Sequence, residues 1–397
     1  MFEYFPENYV WSHATVSAVG LGGAAISEIE EACRPLKEAS VRNDLRAQHE
    51  WFESWKRLAG RIEAIGREHE RAGQTISAGN KLVRSSVYYF MAERMLPSTD
   101  ARKVQTYKQG LAAFKKGMTL RKELMEWVEI PYKDTSLPAL FSPVPGKQRS
   151  PCMVHFDGFD WLKEYSYLAA AQEFRRRGIS LLVVDHPGVG EALRLRNLPS
   201  GPDTEVPAGA CVDYLETRTD VDPKRIGIMA LSLGGYYAPR AAAFEKRFSA
   251  CVAWAGCYSR WEVNKGRIVA ALSAARAAKE KDLEPSVPNW VDQFTWVAGK
   301  KTLEEAADFA KQYTLEGVLD KITCPLLVVH GENDRQTPVW HAERTIAEAV
   351  NSPAKKLKIF TLAEGGAEHC QVDNASMAVD YMADWVAETL GGNPKGV

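Results

Sequence analysis

The chain has 397 residues, 45% of them hydrophobic and 25% charged, with a formal net charge of -1. That profile fits a globular protein with room for one large α/β domain of roughly 250 residues and about a hundred more. The even charge balance, with no basic stripe and no zinc-finger spacing, excludes the electrostatic footprint of a nucleic-acid binder.

The N-terminus, MFEYFPENYVWSHATVSAVGLGG, has no basic start, carries Glu3 and Glu7 early and never reaches the apolar length of a membrane span. A secretory or membrane fate is therefore not expected. Seven cysteines, Cys33, Cys152, Cys211, Cys251, Cys257, Cys324 and Cys370, lie far apart with no CxxC pair. Reduced thiols in a cytoplasm are the simplest reading.

From about Ser27 to Met118 the chain is helical in character. Leu45, Trp51, Trp55, Leu58, Ile62 and Ile65 recur at three- and four-residue spacing, the stripe of an amphipathic helix. A second helix is expected from beside Ser77 to Pro97. A third opens on a serine or threonine cap in STDARKV, with Asp100 in its first turn. Residues 1–121 thus read as a helical N-terminal region serving as cap or dimer surface.

After Arg121 short β-rich runs take over. LMEWVEIPY and LPALFSPV suggest a hairpin, followed by PCMVHFDGF, ISLLVVDHPG, RIGIMALS, FSACVAWAG, PLLVVHGEND and KLKIFTLAEG. Helical stretches separate the later runs, and near-continuous apolar strands alternating with helices imply a mostly parallel, doubly wound sheet. The interval between Ala255 and Pro325 breaks this alternation and is far longer than an ordinary connection. Residues 122–256 and 323–397 are therefore expected to form the sheet domain, with 257–322 inserted as a helical cap.

Functional groups of such a sheet gather on loops beyond the C-terminal strand ends. Ser232 follows IGIMAL, Asp334 follows LLVVHGEN and His369 follows IFTLAEGGAE. A serine hydroxyl needs a base within hydrogen-bond reach, and His369 would take its proton while Asp334 holds the imidazole in the productive tautomer. Ser, Asp, His is also the chain order of an α/β-hydrolase triad. The expected elbow reads Gly-x-Ser-x-Gly, and here Ala230 replaces its first glycine. Ordinary alternatives stand beside each role: Ser232 as a helix cap, Asp334 as an Asx turn with Glu332 as substitute acid, His369 as a surface-loop residue.

An acyl-transfer site also needs donors for the oxyanion. The N–H of Leu233 is one candidate and that of Phe159, in DGFDW, the second, with Gly158 permitting close approach. The glycine-rich loop Asp185 to Ala192 lacks GxGxxG and a P-loop lysine, so it reads as a structural turn at the pocket edge. Cys370 reads as a packed neighbour of His369. No HExxH-like cluster is present and neither metal nor cofactor is expected.

ALSLGG, HGENDRQTP and GGAEHC match, in order and spacing, the three loops of the α/β-hydrolase superfamily, which the chain resembles over about residues 122 to 393. The helical N-terminal region with SLGGYYAPRAA, CVAWAG and the EHC loop is similar to the branch of 2,6-dihydroxypseudooxynicotine hydrolase and the fungal polyketide-shortening hydrolases. That resemblance implies the α/β-hydrolase fold, a Ser232–Asp334–His369 triad, and cleavage of a carbon–carbon bond beside a ketone in an aromatic or polyketide-like small molecule. It also implies a homodimer, and Glu262 as an auxiliary acid. Phe159, Trp161, Tyr236, Tyr258 and Trp261 at the mouth, and Trp290, Phe294 and Trp296 in the insertion, would suit a flat substrate or simply pack the cap. A carboxylesterase or lactonase using the same triad, and a non-hydrolytic binding or cyclising protein on the same fold, are the competing readings.

Overall fold

The computed structural model describes residues 2–396 except 21–22, 43, 147–148 and 281–288. Two compact units result: Met1–Leu124 with Ala275–Phe294, and Met125–Ala274 with Thr295–Val397.

The first unit is helical, with Tyr9–Gly20, Ile26–Cys33, Leu45–Arg71, Thr75–Arg94 and Ala101–Arg121. The first of these lies before the start expected at Ser27. Asp44 begins the long helix by accepting the Ala47 N–H at 2.7 Å. Its stripe is buried at Trp51, Trp55, Leu58 and Ile62, whereas Leu45 is exposed. Trp51 lies 4.8 Å from Trp11 and 5.2 Å from Trp55, ring to ring, and donates its indole N–H to the Met91 carbonyl at 2.7 Å. Asp100 proves to be the N-cap itself, accepting from Arg102 N at 2.9 Å, rather than a first-turn residue behind a serine or threonine cap. A carboxylate is the better acceptor for an orphaned first-turn N–H.

The second unit holds an eight-stranded sheet. In chain order the strands are β1 Glu126–Tyr132, β2 Thr135–Ser142, β3 Ser150–Phe156, β4 Ser180–Val184, β5 Val221–Leu231, β6 Ala250–Trp254, β7 Leu326–Gly331 and β8 Lys355–Phe360. Their spatial order is β1-β2-β4-β3-β5-β6-β7-β8. β1 and β2 form the expected antiparallel hairpin, β2 runs antiparallel to β4, and the remaining pairs are parallel. β3, β4, β6 and β7 are buried along their whole length, as their uninterrupted apolar runs require. β5 starts at Val221, before the expected Arg225, because Val221 pairs with Ser150 ahead of a register shift.

The interval after β6 contains the helices Arg260–Glu280, Asn289–Ala298 and Leu303–Ala310. It does not stand as a separate body: Ala275–Phe294 groups with the N-terminal helices and its flanks group with the sheet. Asp292 explains part of that grouping, accepting from the Ser98 N–H and hydroxyl at 2.7 Å each, while Asn289 donates to the Met95 carbonyl at 2.9 Å. Residues 281–288 of the expected cap lie outside the described residues. All seven cysteines are free and buried. Among the described residues no helix is long and apolar enough to cross a membrane.

Candidate active site

β5 ends at Leu231 and the next helix spans Gly234–Phe244, so the chain reverses at Ser232. Ser232 has φ 62°, a left-handed conformation that costs a side-chain-bearing residue of order 1 kcal/mol or more. Two hydrogen bonds impose it: Ser232 N–H to the Trp254 carbonyl at 2.7 Å, and Gly235 N–H to the Ser232 carbonyl at 2.8 Å. The following helix takes no side-chain cap, and Ser232 Oγ instead lies 2.8 Å from His369 Nε2.

The missing glycine of the elbow has a steric explanation. A Cβ built on Gly234 would lie 2.5 Å from the Ala230 Cβ. The two positions flanking the serine share space for one methyl, and this chain places it upstream. Gly235 is needed for a different contact, since a Cβ there would fall 2.0 Å from the Ala255 carbonyl oxygen.

The acid and histidine loops are laced together. A Cβ on Gly331, the last residue of β7, would meet the Ala367 carbonyl at 2.3 Å, so only glycine lets these loops approach. Asn333 N–H donates to the Ala367 carbonyl at 2.8 Å and its amide to Glu368 Oε1 at 2.6 Å. Asp373 accepts the N–H groups of Gly366, Ala367 and Glu368 at 3.1, 3.2 and 3.2 Å. Asp334 then fills two roles that the sequence set against each other. Its Oδ1 makes the Asx turn, accepting from Gln336 and Thr337 N–H at 2.8 Å each, and its Oδ2 meets His369 Nδ1 at 2.7 Å. Glu332, the substitute acid, accepts from Leu362 N–H instead.

The electrostatics follow from burial and partners. Desolvation would push His369 down, but the Asp334 charge and hydrogen bond, with Cys370 adding, leave it well above an ordinary imidazole. Burial would raise Asp334, yet His369 and its other donors hold it below the usual carboxylate range. Two other histidines nearby are kept neutral. Burial lowers His330, whose Nε2–H donates to the Thr337 carbonyl at 2.8 Å. Burial, with His330 adding, takes His341 to about 4, and its Nδ1 accepts the Tyr258 N–H at 3.1 Å.

Gly158 lies directly against the elbow: a Cβ there would be 2.7 Å from Ser232 Cβ and 3.3 Å from its Oγ. Phe159 follows it, and Leu233 precedes the first residue of the helix Gly234–Phe244, whose first-turn N–H groups have no intrahelical acceptor. Each of the other aromatic residues has a packing or hydrogen-bonding partner. Tyr236 donates its hydroxyl to the Pro202 carbonyl, Tyr258 to Glu348, and Trp261 lies under Lys311. Trp161 packs on Tyr165 at 4.6 Å, Trp290 on Phe294 at 6.1 Å, and Arg194 lies 5.5 Å from the Trp296 ring. Glu262 sits in the first turn of Arg260–Glu280 and is ion-paired with Lys265; no hydrogen bond or ion pair among the described residues links it to Ser232, Asp334 or His369. Which side of a loop a side chain takes is not encoded in apolar spacing, so these placements were not legible beforehand.

The loop beginning at Asp185 is structural. Its carboxylate accepts from Lys163 N–H at 3.2 Å, Glu191 N–H at 2.8 Å and the Lys163 ammonium at 2.8 Å. A Cβ on Gly190 would fall 2.0 Å from that carboxyl group, which explains the glycine. Lys163 Nζ also lies 2.6 Å from both Glu164 and Glu191, so three carboxylates surround one buried ammonium. Burial pushes Glu164 above the usual carboxylate range.

Among known proteins, the profile of the prolyl oligopeptidase family matches residues 208–393. The alpha/beta hydrolase xenA of Xenoacremonium sinensis is 29% identical over 343 residues, 77% of each chain. The 20-hydroxy-prefusarin hydrolase FUS2 of Gibberella moniliformis is 27% identical over 406 residues, 94% of each. In three dimensions the chain is similar to 2,6-dihydroxy-pseudo-oxynicotine hydrolase, with a TM-score of 0.74 and 25% identity over 94% of this chain and 95% of that one.

Proposed function

Taking as premise that this chain is an α/β-hydrolase, we propose that it is a serine hydrolase cleaving a carbon–carbon bond beside a ketone in an aromatic or polyketide-like small molecule. The observation that carries the nucleophilic reading is the continuous relay from Ser232 Oγ to His369 Nε2 at 2.8 Å and from His369 Nδ1 to Asp334 at 2.7 Å. The small-molecule reading is supported by likeness to hydrolases named for 2,6-dihydroxy-pseudo-oxynicotine and 20-hydroxy-prefusarin, and the carbon–carbon bond by the family resemblance of SLGGYYAPRAA, CVAWAG and the EHC loop.

In this mechanism His369 removes the Ser232 proton as Oγ attacks the ketone carbon. The carbonyl electron pair moves to oxygen, where the N–H groups of Leu233 and Phe159 receive the oxyanion. Collapse expels the neighbouring carbon as an enolate or ring carbanion, and His369 returns the proton to it. Water, deprotonated by His369, then releases the carboxylic acid and restores Ser232. Glu262, engaged by Lys265, is assigned no step. The same residues would hydrolyse an ester, so the test compares substrates. Purified protein incubated with aryl β-diketones should release one carboxylic acid and one methyl ketone per turnover. Rapid hydrolysis of aryl esters with no diketone cleavage would contradict the proposed bond.

A further inference from the structure

We propose that Asp157 is a positioning residue for the oxyanion donor, fixing the loop between β3 and the helix Lys163–Arg176; the inference rests on the serine-hydrolase reading above. Asp157 is fully buried at the end of β3. Its Oδ1 accepts the Ser166 hydroxyl at 2.5 Å and lies 3.3 Å from His155 Nε2. Its main-chain carbonyl accepts from His186 Nε2 at 3.0 Å. Burial pushes the His186 pKa down, and because a carbonyl can only accept, its Nε2 is the donor in this bond. One residue is therefore held by hydrogen bonds from the following helix and from the loop after β4, with the His155 ring of β3 beside it.

What those anchors position is the next peptide. Gly158 has no room to move toward the elbow, since a Cβ would already fall 2.7 Å from Ser232 Cβ and 2.8 Å from the Leu231 carbonyl oxygen. At the far end Lys163 N–H is held by Asp185, so residues 158–162 are fastened on both sides. A shift at Asp157 passes directly to the Gly158–Phe159 peptide and its N–H.

Stability alone does not account for this arrangement. Asp157 Oδ2 and both ring nitrogens of His155 are buried without a hydrogen-bond partner among the described residues. An under-satisfied buried carboxyl costs free energy that an apolar side chain of similar volume would not. A polar network kept at such cost fits a demand for geometry, as oxyanion stabilisation imposes.

The test follows labelling by a fluorophosphonate probe, whose attack also builds negative charge on oxygen, under saturating conditions. Adduct mapping on the wild type comes first: a label away from Ser232 overturns the nucleophile assignment and this inference with it. With the label on Ser232, Asp157→Ala should lower the limiting labelling rate about 10-fold to 100-fold, with half-saturation changed by less than about twofold. Phenylboronic acid, a tetrahedral mimic, should lose affinity in parallel. Asp157→Asn, which keeps an oxygen acceptor for Ser166, should recover most of the rate. A wild-type limiting rate in Asp157→Ala, or equal losses in the Ala and Asn variants, overturns the positioning role while leaving the serine assignment intact. If neither folds, Ser166→Ala decides, and an unchanged limiting rate there overturns it.

Discussion

Moving one methyl across the elbow should reveal how the chain tolerates Ala230. In Gly234→Ala the added Cβ sits 2.5 Å from the Ala230 Cβ, while its next neighbours, the Phe156 and Asp157 carbonyls, lie at an ordinary 3.7 and 3.9 Å. Carbon atoms prefer about 3.5–4.0 Å, so one contact carries the whole penalty. Relief by backbone movement is blocked, because Ala230 is paired with Phe156 on one side and Ala253 on the other. Overpacking of this kind costs ~1–3 kcal/mol, only partly offset by the better helix propensity of alanine. Ala230→Gly alone should cost ~0.5–1 kcal/mol through lost backbone restriction. The double variant, with its methyl downstream, should then be no less stable than Ala230→Gly. Urea unfolding of the four proteins, followed by tryptophan fluorescence, should give a favourable coupling of ~1–3 kcal/mol. A Gly234→Ala cost that is the same in both backgrounds would refute the shared-space explanation.

Asp334→Asn should lower kcat by about two to four orders of magnitude. It should also move the acid limb of kcat/KM downward, because the carboxylate holds the His369 pKa up and only neutral imidazole can act as base; a pH profile with an unmoved limb would contradict that. Gly190→Ala should destabilise the sheet unit by ~3 kcal/mol or more, combining a positive φ of 47° with a Cβ 2.0 Å from Asp185, as thermal unfolding would report. Lys163→Met should cost ~3–5 kcal/mol near neutral pH by leaving buried carboxylates without their cation. That loss should shrink as the pH falls and Glu164, already raised by burial, takes up its proton.

Much of the site was legible because it depends on chain order and strand ends. IGIMAL, LLVVHGEN and IFTLAEGGAE place Ser232, Asp334 and His369 on loops the sheet must bring to one edge, and the hairpin and alternating strands follow from apolar runs. The grouping of Ala275–Phe294 with the N-terminal helices was hidden, since contacts as distant in sequence as Asp292 to Ser98 leave no local pattern. Tyr236, Tyr258 and Trp261 suit a pocket and packing alike, and their partners Pro202, Glu348 and Lys311 carry no mark in the local sequence. Asp157 was visible in principle: a histidine and an aspartate inside the apolar run CMVHFDGF signal buried polar groups needing partners. The partners that Asp157 finds, Ser166 and His186, come from other elements and carry no local mark.

The central claim is that Ser232 is the attacking atom's residue and His369 its base. Incubating the protein with a fluorophosphonate probe and mapping the adduct by peptide mass spectrometry measures it directly. A single adduct on Ser232, absent from Ser232→Ala together with all hydrolytic turnover, is the predicted result. An adduct on another residue, or turnover that survives Ser232→Ala, would contradict the account.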